Sequence, residues 1–327
     1  MQSRKITQVT IFLFILFSIL LSACAQAGDT DTSSEEPTKI RLAALSAVID
    51  LTPIYLAQQE GIFAKHGIEV EVIPVASAQE KDQLLVVGEA DGGHVEFLSV
   101  LLFNQEKIQV QLVCGTLHPS ETNPIFSIVA AANSGIESLE DLKGVEIGTS
   151  EGTINEYVAT RILQRSGFSN EDIKFIGVPR IPDRLALLAS GELKAASLPA
   201  NLGLMAAQQG AIIIADDGKY PDIMEGGWSF RKDFIDENPA AIKGFVSALT
   251  EAVQMMNADP QKYKYIAIEN NILPKPIAET YVMPTFPLPF VSSVEGFEDV
   301  YKWALEKGII TNEKITYEES VTPEFVP

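Results

Sequence analysis

The chain is poor in the side chains that build metal centres, since its 327 residues include only two cysteines and three histidines. No CxxC pair occurs and the histidines stand far apart, so the spacing of a zinc site is missing from the sequence. A calcium-binding loop of the DxDxDG type is missing as well. We therefore predict a protein that binds no metal.

Basic residues are also scarce, because 24 lysines and arginines stand against 44 aspartates and glutamates, for a formal net charge of −20. This excess of negative charge argues against nucleic acid or an anionic membrane surface as a docking partner. The HExxH signature is absent, and no cysteine is paired with a histidine in a loop that suggests a catalytic site. The sequence thus favours a binding protein without a cofactor over an enzyme.

An uncharged apolar run at residues 9–23, VTIFLFILFSILLSA, is shorter than the roughly 20 residues that a bilayer-spanning helix needs. With the two basic residues before it, this run predicts a secretory signal peptide over residues 1–23. The residues LSAC at 21–24 resemble the lipobox of bacterial lipoproteins, in which the cysteine is lipidated and becomes the first residue of the mature chain. The alternative is an ordinary signal in which Cys24 is incidental.

The residues after Cys24 are small, polar and acidic, AQAGDTDTSSEEPTK, and offer nothing to bury. We therefore predict a disordered tether over residues 24–38. A lipidated cysteine would carry more than one acyl chain, and two chains anchor a protein stably where one does not. The expected location is extracytoplasmic, with the protein held by lipid on the outer face of a bacterial cell membrane.

One pattern of short apolar runs and longer amphipathic stretches occurs twice in the chain. The first copy opens with KIRLAAL at 39–45 and continues with TPIYLAQQEGIFAKHG at 52–67. The second opens with GVEIGTS at 144–150 and continues with TINEYVATRILQRSG at 153–167, about 100 residues further on. This alternation is typical of βαβ units and of mainly parallel sheets. The sequence therefore predicts an α/β protein with two lobes, each a mainly parallel sheet flanked by helices.

Local signals place the helices of both copies. Thr52 followed by Pro53 predicts an N-cap with proline at the first helical position, and Gly61 is expected to end that helix. Thr153 with Glu156 forms a TxxE capping box at the start of the corresponding helix in the second copy.

The pattern changes after residue 226 to helices and a proline-rich crossing, with too little strand for a third lobe. This tail is expected to pack back on the first lobe and to bury Trp303. The resulting prediction is a lobe 1 built from 39–123 plus 227–327 and a lobe 2 built from 124–226. Two crossovers would join the lobes as a hinge.

Several segments of the chain carry a family resemblance, namely IYLAQQEGIFAKHGIEVEVIPV, LLVVGEADGG, IESLEDLKGVEIGTSEGT, LALLASGELKAASLP and YKWALEKGIITNEKITYEESV. They resemble the solute-binding proteins of bacterial ABC importers, above all the nitrate, sulfonate and taurine branch that also includes binding proteins for thiamine pyrimidine precursors. The resemblance covers nearly all of 39–321.

This resemblance implies the two-lobed periplasmic-binding-protein fold of type II. It also implies a monomer that captures a small solute between the lobes and delivers it to a permease with its ATPase. Enzymes of thiamine-pyrimidine and menaquinone synthesis share the fold, so an enzyme of that kind is the alternative.

Candidate ligand-binding residues lie in the loops after the strands, where ligands of parallel sheets bind. Gly152 lets the backbone approach a ligand, and the free N–H groups near Thr153 suit an acceptor oxygen, unless Thr153 serves only as a helix cap. Arg180 is the basic residue of these loops, and its guanidinium suits a sulfonate or carboxylate. The alternative for Arg180 is an ion pair with Asp183 or Glu80.

Four further candidates come from loop position and side-chain type. His94 follows two glycines and is expected either to face the cleft or to be structural. Trp228 either stacks on a flat ring at the hinge or packs against the crossover. Asp50 and Asn201 are candidates from their loop positions alone.

The chemistry of the loops indicates a class of ligand. They offer one arginine, few aromatic residues and several acids, which are Asp50, Glu96, Glu121 and Glu151. A tetrahedral anion needs at least one cation, whereas a heterocycle needs hydrogen-bonding partners for its ring nitrogens. The sequence therefore favours a neutral or cationic nitrogen heterocycle, such as a thiamine pyrimidine precursor, over nitrate, taurine or another sulfonate.

Overall fold

The computed structural model describes residues 36–46 and 48–327. The signal peptide, Cys24 and nearly all of the tether lie outside the described residues, so the expectations for them stay predictions. Within the described part of the chain, no helix is both long and apolar enough to cross a membrane.

The chain folds around two five-stranded sheets. The first sheet has the order β2-β1-β3-β10-β4, and in it β1 pairs in parallel with β2 and β3, while β10 runs antiparallel to β3 and β4. Its strands are β1 (Thr38–Leu45), β2 (Ile68–Val75), β3 (Gly92–His94), β4 (Val110–Leu117) and β10 (Gly226–Arg231). We call the part built around this sheet lobe 1.

The second sheet, the centre of lobe 2, has the order β7-β6-β8-β5-β9. Strand β6 pairs in parallel with β7 and β8, and β5 runs antiparallel to β8 and β9. Its strands are β5 (Phe126–Ala130), β6 (Glu146–Thr149), β7 (Lys174–Gly177), β8 (Ala195–Pro199) and β9 (Ile212–Asp216).

The two orders are the same once β1, β2, β3 and β4 are matched with β6, β7, β8 and β9. The single antiparallel strand of each sheet, β10 or β5, then takes the same place. The internal repeat therefore corresponds to two lobes of the same topology, and the predicted two-lobed α/β fold is confirmed. The predicted residue limits of the lobes, 39–123 plus 227–327 and 124–226, stay predictions.

Helices cover both faces of the sheets. The helices are α1 (Leu51–Gln59), α2 (Ile62–Lys65), α3 (Ala78–Val86), α4 (Phe97–Phe103), α5 (Ile154–Arg165), α6 (Ile181–Ser190), α7 (Ala200–Gln208), α8 (Lys232–Glu237), α9 (Pro239–Ala258), α10 (Lys264–Glu269), α11 (Val294–Glu306) and α12 (Tyr317–Ser320). The start of α1 differs from the prediction, since Asp50 and not Thr52 is the N-cap residue. The Thr52 hydroxyl instead donates to the carbonyl of Ile49 from inside the first turn.

Helix α11, in the C-terminal tail, contacts both lobes. Trp303 is buried, as predicted, and its ring packs edge to face against Tyr157 of α5. The Tyr157 hydroxyl donates to Asp299 at 2.6 Å, and Arg161 pairs with the same carboxylate at 2.8 Å. The tail therefore packs on lobe 2 as well as on lobe 1, where α11 lies against α4.

Strand β3 lies too close to its neighbours for any side chain at two positions. A Cβ on Gly92 would overlap the ring of Phe230, and a Cβ on Gly93 would overlap the carbonyl oxygen of Ala43. These glycines allow β3 to fit between β1 and β10, and they fix the position of the next residue, His94.

Candidate functional site

A cavity lies between the lobes, at the ends of the strands. It contains about 50 Å³ of space for the centres of water-sized molecules, several times what one water needs. The lining is mostly apolar and comes from both lobes and the crossover at 124–126. The lining residues are Leu45, Val48, Ile49, Ala78, Lys81, His94, Glu96, Leu117, Pro124, Ile125, Phe126, Ile154, Pro199, Ala200, Asn201, Met224 and Tyr281.

The lobes touch each other around this cavity. Hydrogen bonds near the cavity that join them include those from Asn201 Nδ2 to the Ile272 carbonyl (2.8 Å), from the Ile181 amide to the Ala76 carbonyl (3.0 Å) and from Ser150 Oγ to Gln79 Oε1 (2.9 Å). In this conformation, these contacts therefore hold the two lobes together near the cavity.

Asp50 and His94 form a close pair, of which His94 lines the cavity. Nε2 of His94 lies 2.6 Å from Oδ2 of Asp50, and the carboxylate side chain is almost wholly buried. The other carboxylate oxygen, Oδ1, has no hydrogen-bond partner among the described residues. A Cβ on Gly226 would crowd both the His94 ring and Asp50, so the glycine at the start of β10 makes room for the pair.

Two aromatic side chains accompany this pair. Trp228 is fully buried and packs edge to face against His94 from behind, at 5.5 Å between ring centroids, so it supports the histidine and does not line the cavity. Tyr281 does line the cavity. Burial, together with the nearby charge of Asp50, raises the pKa of Tyr281 to about 12, so its hydroxyl keeps its proton as a hydrogen-bond donor.

The buried cation of the cavity wall is Lys81, and it is already paired. Its Nζ lies 2.9 Å from Glu96 Oε2 and 3.5 Å from Asp82 Oδ1, and it donates to the His94 carbonyl. Burial alone would lower the pKa of Lys81, but the two carboxylates outweigh burial and raise it. Burial would likewise raise the pKa of Glu96, but Lys81 lowers it. The ammonium charge is therefore neutralised within the protein.

Gly152 and Thr153 lie at the start of α5, next to the cavity-lining Ile154. The Gly152 amide donates to Glu156 Oε2 at 2.8 Å, and Thr153 Oγ1 accepts from the Asn155 amide. The helix cap is thus present as predicted, and the Gly152 amide that we expected for a ligand is occupied in this conformation. A role of Gly152 and Thr153 in binding stays a prediction.

Arg180 and Asn201 differ in their distance from the cavity. Arg180 is about half exposed at the start of α6 and lies 3.5 Å from Asp183, which is the ion pair considered as its alternative role. Asn201 lines the cavity, and its amide also joins the lobes through Ile272. Ligand binding by either residue stays a prediction.

A buried carboxylate holds the first crossover between the lobes. Asp217 accepts hydrogen bonds from the amides of Ile125 (2.8 Å) and Phe126 (3.1 Å). Burial raises the pKa of Asp217 to about 7, although these two donors act in the opposite direction. The carboxylate fixes the end of the crossover that also lines the cavity.

Two residues of the site were missed by sequence reasoning. Lys81 stands in AQEKDQLL, which has the composition of a solvated helix face, and its burial follows only from the packing of α3 on β1. Tyr281 lies in an irregular segment before the proline-rich crossing, about 230 residues from Asp50 in the chain. The sequence carries no local signal that brings these two residues to the cavity.

Comparison with known proteins agrees with this architecture. The profile of the NMT1/THI5-like family matches residues 48–263. A Brucella abortus protein, provisionally named a binding protein, is 24% identical over 213 residues, which is 63% of either chain. The alignment thus spans less than two thirds of that relative's length. A Haemophilus influenzae protein, provisionally named for thiamine biosynthesis, is 24% identical over 281 residues, 80% of this chain and 84% of the relative.

An enzyme and a solved binding protein are among the similar proteins. The pyrimidine phosphate synthase THI13 of Saccharomyces cerevisiae is 22% identical over 230 residues, 64% of either chain. The alkanesulfonate-binding protein SsuA of Xanthomonas axonopodis, solved with MOPS, superimposes with a TM-score of 0.74 at 17% identity, over 88% of this chain and 99% of SsuA. This likeness shows the type II periplasmic-binding-protein fold, and the profile match shows that the chain belongs to the NMT1/THI5-like family.

Proposed function

We propose that this protein is the solute-binding component of an ABC importer and that its cleft takes a nitrogen heterocycle, such as a thiamine pyrimidine precursor. The observation that carries the ligand class is the buried Asp50–His94 pair with Tyr281 beside it in an apolar cavity. A monomeric binder would deliver this solute to a permease and its ATPase.

The three side chains suit the edge of a nitrogen heterocycle. The free Oδ1 of Asp50 accepts a hydrogen bond from a ring N–H or an exocyclic amine, and the Tyr281 hydroxyl donates to a ring nitrogen. When the proton of the neutral His94 ring lies on Nε2, the other ring nitrogen is an acceptor. The apolar lining suits the faces of a flat ring. Among the described residues that line the cavity, the charge of Lys81 is already neutralised by Glu96 and Asp82.

A ligand panel tests the class of solute. We expect 4-amino-5-hydroxymethyl-2-methylpyrimidine to raise the melting temperature by several degrees, since a ligand at 100 times its Kd adds about 2.7 kcal/mol to the free energy of unfolding. Riboflavin, taurine, methanesulfonate and nitrate serve as comparisons in the same thermal-shift assay. Stabilisation by taurine or nitrate alone, lost in Arg180→Ala, would contradict the heterocycle and favour the sulfonate or nitrate alternative.

An enzymatic function is the second candidate, because THI13, one of the similar proteins, is an enzyme. Against a thiol nucleophile in the described chain, Cys114 is buried in β4, and burial raises the pKa of its thiol to about 12. Conversion of a pyrimidine or another metabolite by the purified protein, without measurable binding of any panel member, would overturn the transport function.

We further propose that Cys24 carries a lipid anchor. Replacing it in Cys24→Ser should move the protein from the membrane fraction to the medium or periplasm, because an intact binder without acyl chains has nothing to hold it. Fractionation with immunodetection measures this, and ligand binding by the released protein shows that it is folded. Cys114→Ser is the matched control and should stay in the membrane fraction. A Cys24→Ser protein that remains membrane-bound would refute the anchor.

A further inference from the structure

Lobe 2 contains a buried arginine that the cavity chemistry above does not use. Arg184, in the first turns of α6, has no measurable solvent exposure. None of its three guanidinium nitrogens has a hydrogen-bond partner among the described residues. Burial lowers the pKa of Arg184 to about 10, and no carboxylate acts on it to raise the value. The neighbouring Asp183 instead faces the exposed Arg180.

Such an arginine is unusual in a folded protein. Buried charges are ordinarily paired, since an unpaired buried ion costs several kcal/mol. Five N–H donors without an acceptor therefore point to a partner that binds from outside the chain.

Arg184 is not itself among the residues that line the cavity, but its helix packs close to the cavity wall. It shares a helical face with Ile181 and Leu188, which belong to a buried cluster, and Leu45 both packs on that cluster and lines the cavity. The Ile181 amide, one turn before Arg184, donates to Ala76 of lobe 1. This end of α6 therefore separates from lobe 1 when the cleft opens.

A second unpartnered donor lies on the same face of the second sheet. The Ser127 hydroxyl is buried and has no partner among the described residues. It points at α7, because a Cβ on Gly203 would overlap it. Ser127 shares its face of β5 with Val129, a member of the cluster that contains Ile181. Both unpartnered groups can therefore donate a hydrogen bond, the guanidinium of Arg184 as a donor only and the Ser127 hydroxyl as a donor or an acceptor.

We propose that Arg184, with Ser127, receives an oxyanionic substituent of the solute: a carboxylate, a sulfonate or a phosphate. The inference builds on the proposed function, since it gives the heterocycle held by Asp50 and His94 an acidic group directed toward lobe 2. The solute then contacts both lobes, and its charge replaces the partner that Arg184 lacks in the chain.

Matched pairs of heterocycles test this assignment by calorimetry. The pairs are uracil with orotate, and 4-amino-5-hydroxymethyl-2-methylpyrimidine with its phosphate ester, with methanesulfonate as an acid that lacks a ring. For the native protein we expect the acidic member of a pair to bind at least ~30-fold more tightly than the neutral one. Arg184→Met should abolish this preference and leave the neutral member unaffected. Arg184→Lys, which keeps the charge without the fork, and Ser127→Ala should each reduce the preference in part.

The melting temperature of the ligand-free protein gives a second readout. We expect Arg184→Met to raise the melting temperature, because methionine fills a similar volume and removes an unpaired buried charge. An equal preference for acids in the native and Arg184→Met proteins would overturn the proposal, as would a marked loss of stability in the ligand-free variant.

The outcomes also separate this inference from the proposed function. Tight binding of neutral pyrimidines without any preference for acids would support a heterocycle as the ligand and refute the role of Arg184. Binding of methanesulfonate that depends on Arg184, without binding of any heterocycle, would keep the oxyanion site and refute the proposed ligand.

Discussion

Asp50→Asn should weaken binding of the tightest pyrimidine ligand by about 100-fold while the ligand-free protein stays folded. The carboxylate is buried, its Oδ1 is unpartnered among the described residues, and its Oδ2 lies 2.6 Å from Nε2 of His94. Hydrogen bonds to a charged group contribute about 1.5 to 3 kcal/mol, which corresponds to roughly 10- to 150-fold in Kd. Asparagine keeps the size of the side chain but removes its charge. Its amide can also present an N–H donor at the position where the carboxylate would accept a hydrogen bond from a ring N–H.

Titration calorimetry measures this loss, and thermal unfolding without ligand separates it from a loss of folding. Asp236→Asn is the matched control, because it removes an equal charge from an exposed residue of α8 that pairs with Lys232. We expect the control to bind like the native protein. Native affinity in Asp50→Asn would show that the carboxylate does not contact the solute.

Gly93→Ala should lower the free energy of unfolding by about 3 kcal/mol or more. A Cβ at this position overlaps the backbone carbonyl of Ala43, which is paired with Gly93 in the sheet and cannot rotate away as a side chain could. The overlap is removed only if β3 moves away from β1, and this movement weakens the pairing of the short strand with both β1 and β10. Overpacking commonly costs 1 to 3 kcal/mol, and a clash with backbone lies at or beyond the upper end.

Thermal or urea unfolding measures this change, and a melting temperature lower by about 5 °C or more is expected for a chain of this size. Gly177→Ala in β7 is the matched control, since a Cβ there meets only Glu151 at ordinary contact distance. Its effect should stay within about 0.5 kcal/mol. Equal stability of the two variants would show that β3 is not held as closely as the structure indicates.

The architecture was predictable because the repeat consists of local sequence patterns. Apolar alternation, the Thr153 cap and the spacing of the two copies are properties of neighbouring residues, and they determine strands, helices and their order. The confirmed burial of Trp303 has the same origin, since helical periodicity alone defines the apolar face of α11. The contact of that helix with α5 was not predicted, because nothing local to either helix specifies its partner.

The site was predictable only in part, for a related reason. Asp50 and His94 were candidates because they follow strands of a repeated unit, and the fold brings them within 2.6 Å of each other. Which arginine is buried could not be predicted from the sequence, since Arg180 precedes α6 and Arg184 lies in its first turn, and only the packing of α6 decides which of them is covered. Lys81 illustrates the same limit, because a buried lysine depends on acids at 82 and 96 that meet it through packing.

The interleaved strand order also determines which lobe can fold first while the chain is being synthesised. In the first sheet β10 lies between β3 and β4, although it follows them by more than 100 residues, whereas all five strands of the second sheet lie within 126–216. A nascent chain that emerges from its N-terminus therefore presents β1 to β4 early but cannot join β4 to the others until β10 arrives. Lobe 2 is inserted within lobe 1 in the chain, so it can fold before lobe 1 is complete.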